Sequence, residues 1–301
     1  MAVQVELWQK SVKEALFASN QFLNNMKNAD EYVVGGRIVH IPQSGGPSQV
    51  VRNRATLPAT ITKRSDTDIT YVLDEFTTNP KLITNADTVE LSYDKRMSVV
   101  TEDTEAMMEM IGDWVIYKSM ANTPAAQKIA TSGDAAAATA DGATGDRKIL
   151  TEADIRKAKV ILDNQNVPKG DRYLMMSSDM MNFLYDDDKL KYAFQNVANL
   201  PDGVIAKYAG FFLVERSKVA QVSAAQAIKA PDAATATDDA EVAFFWQKNM
   251  VERALGEVNM FDDLGRPEYF GDIYSFLIRM GGRACREDNK GYGIIYRDTA
   301  A

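Results

Sequence analysis

The stretch ATLPATITKRSDTDITYVLDEF, residues 55–76, limits what this chain can fold into. It is rich in Thr, Ile, Tyr and Val, which favour extended backbone, and RSDT (64–67) supplies turn residues in its middle. Its first arm carries few large apolar side chains, while Lys63, Arg64, Asp66 and Asp68 crowd the turn. A hairpin of this kind over 58–76 cannot fill a core, so it is predicted to project from one. An isolated two-stranded hairpin is marginal in water, which leaves a neighbouring molecule to order it.

The body must come from the rest of the 301 residues, a length that allows about two domains or lobes. Residues 5–26 set Val5, Trp8, Val12, Leu16, Phe22, Leu23 and Met26 at helical spacing, and Gly35-Gly36 closes that segment off. RIVHIP (37–42) and DTVELSYDKRMSVV (87–100) alternate like strands. Thr101 is predicted to open a rod helix with Glu102, Asp103 and Glu105 in its first turn, where carboxylates complement the dipole. Met107, Met110, Ile111, Trp114 and Val115 form its apolar stripe, and Asn122 and Pro124 end it.

Further along, 151–165 and 178–185 read as helices and RYLMM (172–176) as a buried strand. GVIAKYAGFFLVERS (203–217) reads as two strands about Gly210. The chain closes on two apolar strands around a turn at Asn289–Gly291. Two Ala-, Thr- and Asp-rich segments, 131–146 and 223–239, read as surface loops. Helices and strands mix without regular βαβ alternation, so the fold class is α+β.

The chemistry is sparse. Ser177 and Ser178 stand between a strand and a helix, where hydrolases place a nucleophile, but Met175-Met176-Ser177-Ser178-Asp179 is not G-x-S-x-G. The single histidine, His40, lies in a distant strand, and Ser178 followed by an apolar-periodic segment reads as an N-cap. One His and one Cys exclude zinc clusters of the usual kind, and no phosphate-cradling G-x-x-x-x-G-K-[ST] occurs. The runs Asp186-Asp187-Asp188 and Asp262-Asp263 lack the spacing of a calcium loop and read as solvated charge. Cys285, between Arg283 and Arg286, lacks a base and reads as a small core residue. No catalytic residue, cofactor or metal is therefore expected. No apolar run reaches ~18 residues, so no membrane span is expected, and the first residues lack a signal-peptide core. A net charge of -8 argues against broad phosphate binding, and one cysteine fits a reducing compartment.

The order of these elements, with GGRIVHIP, the hairpin 50–76, the helix 101–121, VPKGDRYLMMSSDMMNFL, VIAKYAGFFLVERS and GRACREDNKGYGIIYRD, resembles the major capsid proteins of tailed bacteriophages, which have the Hong Kong 97-type fold. The resemblance implies an N-terminal arm over 1–45 and an E-loop with supporting strands over 46–97. It implies a peripheral domain with a spine helix over 98–170, an axial domain over 171–265, and C-terminal strands over 266–301 that return to the peripheral domain. It implies a structural subunit that assembles with itself, as pentamers and hexamers, into an icosahedral head. The partners implied are scaffold, portal and decoration proteins and packaged double-stranded DNA read without sequence specificity. The place implied is the virion, with assembly in the host bacterial cytoplasm. Lys63 has no marked asparagine partner, so shells without covalent crosslinks are expected. The family lays its hairpin across a neighbour's spine, which makes Lys63, Arg64, Asp66 and Asp68 candidates to meet Glu102, Asp103 and Glu105 of another subunit. An encapsulin-like compartment and a serine hydrolase using Ser177 or Ser178 are the alternatives.

Overall fold

The computed structural model describes residues 2–43, 45, 48–55, 57–59, 61, 63–84, 95–185, 187, 190, 200–201 and 203–300. The chain opens with helix α1 (Ala2–Ser19) and a 3-10 helix at Gln21–Asn25, so the predicted single helix to Met26 is broken at Asn20. The break has a packing reason. Asn20 turns its Nδ2–H onto the carbonyl of Met108 at 2.9 Å, bridging to the central helix where Gly112 leaves room. A Cβ on Gly112 would lie 2.3 Å from Oδ1 of Asn20.

Short strands β1 (Lys27–Asn28) and β2 (Val33–Val34) follow, then β3 (Ile38–Gln43) and β4 (Thr67–Val72). Gly35 and Gly36 take φ of 61° and 67° as the central residues of the turn over 34–37, closed by the Arg37 N–H on the Val34 carbonyl at 3.4 Å. β2, β3 and β4 form a three-stranded antiparallel sheet. The predicted hairpin of 58–76 is thus corrected. Strand β4 pairs with β3, not with 55–63, and the described residues between 45 and 66 form no strand, so they leave the sheet as an extension.

Strands β5 (Asp74–Thr77) and β6 (Lys81–Thr84) lead towards α2 (Lys95–Met120). Of the strand predicted over 87–100, residues 87–94 lie outside the described residues and 95–100 are helix. The helix therefore begins six residues before Thr101. Glu102, Asp103 and Glu105 fall in its second and third turns, beyond reach of the dipole argument.

Next come β7 (Lys128–Ala130), the small hairpin β8 (Ala135–Ala137) and β9 (Asp146–Lys148), and α3 (Glu152–Asn164), which Thr151 and Asp154 cap reciprocally. Then β10 (Arg172–Ser177), α4 (Ser178–Tyr185), β11 (Val204–Tyr208), β12 (Phe211–Arg216), β13 (Ala220–Val222) and β14 (Ala240–Gln247) follow. Strands β15 (Val251–Arg266), β16 (Gly271–Ala284) and β17 (Tyr292–Tyr296) close the chain.

Two larger sheets make the body. One runs β11-β12-β10-β14-β17-β7, with β13 also on β14; the other runs β1-β15-β16-β5, with β6 also on β16. The two closing strands are not neighbours as the sequence suggests: β16 belongs to the second sheet and β17 to the first. The first sheet is covered on both faces. Tyr173, Met175, Phe244, Trp246 and Ile294 face α2, while Leu174, Met176, Phe245 and Leu213 face α3 and α4. Strands buried on both sides read as continuous apolar runs, as RYLMM and AFFW do. Helix α2 fills the space between the sheets, placing Met108, Ile111, Val115 and Ile116 against Ile278 and Met280 of β16.

Candidate assembly interface

The extension sheet sits on the β15–β16 hairpin over a small core of Val39, Ile41, Ile69, Leu73, Ala29 and Ala254. Glycines permit the close approach. A Cβ on Gly256 would come within 2.6 Å of the Gly36 carbonyl and 2.7 Å of Leu73 Cδ1. Beyond this seat the extension carries Val50, Leu57 and Ile61 exposed at 94, 79 and 97%. Three large apolar side chains thus stand in solvent along one segment.

The charged candidates are already committed locally. Asp66 Oδ1 accepts the Gly45 N–H at 2.8 Å and the Arg64 Nε–H at 2.6 Å, and these bonds hold its carboxyl below the usual range. Asp68 pairs with Nδ1 of His40 at 2.8 Å, and Asp103 on α2 pairs with Lys81 of β6. None of these pairs joins 63–68 to 102–105. Lys63, Glu102 and Glu105 are exposed. The tip cluster predicted at 63–68 lies instead at the entry to and start of β4.

The other end of the body offers a second exposed group. Phe261, Leu264, Tyr269 and Phe270 cluster in sequence around the far turn of the β15–β16 hairpin, each more than half exposed. Nothing in their sequence pattern distinguishes them from core residues, because strand alternation says which side chains share a face but not whether anything covers it. The N-terminal segment is tied down by a pair that sequence reading also missed. Arg253 reaches both oxygens of Asp30 at 3.1 Å and lies over the Phe17 ring at 4.3 Å, while Asp30 also accepts the Leu255 N–H at 2.7 Å.

The hydrolase alternative finds no geometry. Ser177, not Ser178, caps α4: its Oγ accepts the Met180 N–H at 3.2 Å and is buried, whereas Ser178 is the exposed first helical residue. The Ser178 cap is thereby corrected, since the side chain that can turn back to the third amide belongs to the last residue of β10. His40 stands on the extension sheet with Asp68, away from the β10–α4 junction. Cys285 is buried, and desolvation together with the Glu252 carboxylate pushes its thiol up, the reverse of what its arginine neighbours suggest. A cavity of about 240 Å³ adjoins Ser177, Asp113, Asp141, Lys229 and Glu241. Several of its polar groups are matched inside the chain. Asp113 binds Arg216 at 2.5 Å, Asp141 binds Lys218, Lys229 binds Asp239, and Glu241 accepts the Thr139 hydroxyl at 2.7 Å. Burial raises Glu241 above the ordinary carboxylate range. Among the described residues no group of three or more His, Cys, Asp or Glu could hold a metal ion, and no helix is long and apolar enough to cross a membrane. Of the acidic run, Asp186 and Asp188 lie outside the described residues.

The body is thus a long central helix between two sheets, with an extension sheet at one edge. The chain is similar to the capsid of Ralstonia phage GP4, with a TM-score of 0.64 at 12% identity over 95% of this chain and 91% of that one. It is similar to the capsid structure of cyanophage P-SCSP1u, at 0.63 and 15% over 92% and 87%, and to a chain of Mycobacterium phage Che8, at 0.59 and 19% over 91% and 90%. No curated protein sequence matches the chain significantly. The model of the phage capsid protein family matches residues 7–295, and the chain belongs to that family. It is a structural protein, a major capsid protein, and its place is the icosahedral capsid of the virion.

Proposed function

We propose that this subunit closes its shell by laying the extension, residues 45–66, across an adjacent copy, within pentamers and hexamers that enclose double-stranded DNA. The observation that carries this reading is the exposure of Val50, Leu57 and Ile61 on a segment whose described residues form no strand before β4. A second copy is the occupant that a capsid family supplies in abundance. Lys63 and Arg64 then meet Glu102, Asp103 and Glu105 of that copy, with Asp66 and Asp68 setting the register. Charge across such a contact governs specificity and rate more than raw affinity.

The reading assigns 1–45 to the N-terminal arm and 46–97 to the E-loop with its supports. Residues 98–170 form the peripheral domain with its spine helix, 171–265 the axial domain, and 266–301 the closing strands, of which β17 joins the axial sheet through its pairing with β14. Scaffold, portal and decoration proteins, DNA bound without sequence preference, and assembly in the host bacterial cytoplasm belong to the same reading. Non-covalent packing holds the shell, and no enzymatic step is assigned. Electron microscopy of the purified assembly tests it. Closed shells are the expected outcome, and Lys63→Glu with Arg64→Glu should reduce their yield most at low salt, where exposed charges are least screened. Discrete dimers from the wild-type chain, with scaffold and lysate partners present, would sink it.

A further inference from the structure

Where the extension sheet meets the body, one carboxyl is completely enclosed. Glu252 of β15 is 0% exposed, although its strand neighbours in register are Lys27 on β1 and Arg283 on β16. In-register neighbours share a face of a sheet, so the two cations flank the carboxyl. The cover over it comes from the extension sheet and from the end of β16. The Cys285 thiol donates to Oε2 of Glu252 at 3.4 Å, and the Tyr71 hydroxyl of β4 lies beside the carboxyl. Oε1 of Glu252 and Oη of Tyr71 are both buried without a well-formed hydrogen bond. From β3, Gln43 donates its Nε2–H to the Cys285 carbonyl at 2.7 Å. Two side chains of the extension sheet thus close the lid of a small chamber whose floor is a single carboxyl.

We propose that Glu252 is a proton-operated latch: its neutral carboxyl lets the β2–β3–β4 sheet seat on the body, and its ionisation loosens that seat. The five titratable groups at this corner do not compete for the role. Burial and the nearby Glu252 charge push both Tyr71 and Cys285 up, so each keeps its proton. Lys27 and Arg283 are its in-register neighbours on either side. Glu252 is left as the group whose charge changes. Burial raises it from 4.5, and Cys285, Lys27, Tyr71 and Arg283 offset this only in part.

The sign follows by linkage. A carboxyl raised in the seated state binds its proton more tightly there than when the sheet lifts. Seating is therefore strongest below the ordinary carboxylate range and weakens as pH rises through the raised value. A released sheet re-aims the extension that the proposed function assigns to a neighbour, but the latch is a property of one chain and is tested without shells.

The test is hydrogen exchange on the full chain, corrected for intrinsic rates, comparing 38–43 and 67–73 with the body strands 172–177 and 240–247. Between about pH 5 and about pH 8 the extension strands should exchange severalfold faster, while the body strands stay unchanged. Glu252→Gln keeps shape without titrating, and should exchange slowly at both pH values. Tyr71→Phe removes a donor to the ionised form, so the onset of loosening should move to higher pH than in the wild-type chain; a move to lower pH would overturn the latch. Wild-type strands indifferent to pH, or Glu252→Gln with the wild-type dependence, would overturn the latch. If Glu252→Gln does not fold, an unmoved onset in Tyr71→Phe overturns it alone.

Discussion

The seven-stranded sheet and the extension sheet are both β-structure, yet they are stabilised by different means. In the first, Trp246 stacks 4.8 Å from Phe244 and 5.6 Å from Tyr173, and donates its indole N–H to the Asn25 carbonyl at 3.0 Å. Its strands are apolar on both faces and covered on both faces. The extension sheet buries one modest cluster, and the chain beyond it leaves large apolar side chains in solvent. The contrast is between a body that buries its own apolar side chains and an extension whose exposed ones the proposed function gives to a neighbouring copy.

The largest expected effect lies in the body. Trp246→Ala should cost about 3–5 kcal/mol, because a fully buried aromatic leaves a cavity and its Asn25 partner loses a donor. Urea denaturation of the full chain checks it, and a loss below about 1 kcal/mol would erase the distinction between the two regions.

Replacing 48–63 by a short Gly-Ser link should do the opposite. Subunit stability should change by less than about 1 kcal/mol, since no strand is removed, while shell yield falls to nothing. Circular dichroism and sedimentation read the two halves of that statement. Unfolding would make the extension part of the core, and normal shells would make it ornament.

Ser177→Ala should cost on the order of 1 kcal/mol through the lost cap of α4, with Ser178→Ala near neutral. The same pair tests the chemistry, for a fluorophosphonate should label neither serine, and labelling of Ser177 would reopen the hydrolase reading.

Much of the body was legible in the sequence because local rules suffice there. The helix over 152–164 follows from its periodicity and its Thr151 cap, and the strands about Gly210 follow from apolar runs flanking a left-handed turn at φ 89°. The mixed α+β class followed from composition and pattern, whereas the hairpin predicted over 58–76 did not form as one. The errors fall where pairing is non-local. Strand β4 satisfies the same alternation whether it pairs with 55–63 or with β3, and only the seat on Gly256 and Leu73 selects β3. The acidic residues at 102–105 marked a false helix start, since carboxylates on an exposed helical face look alike in the first turn and the third.

Sequence by itself therefore determined which segments could be strand or helix, which could enter a core, and that no familiar catalytic motif was present. Tertiary structure alone decided that β16 and β17 part into different sheets, that Ser177 takes the cap, and that Glu252 lies beneath Tyr71 without solvent. The physical reason is common to all three. Hydrophobic periodicity is a property of neighbours along the chain, whereas pairing, capping geometry and burial of a charge are set by residues brought close from far away. No local pattern records what lies on the other side of a sheet.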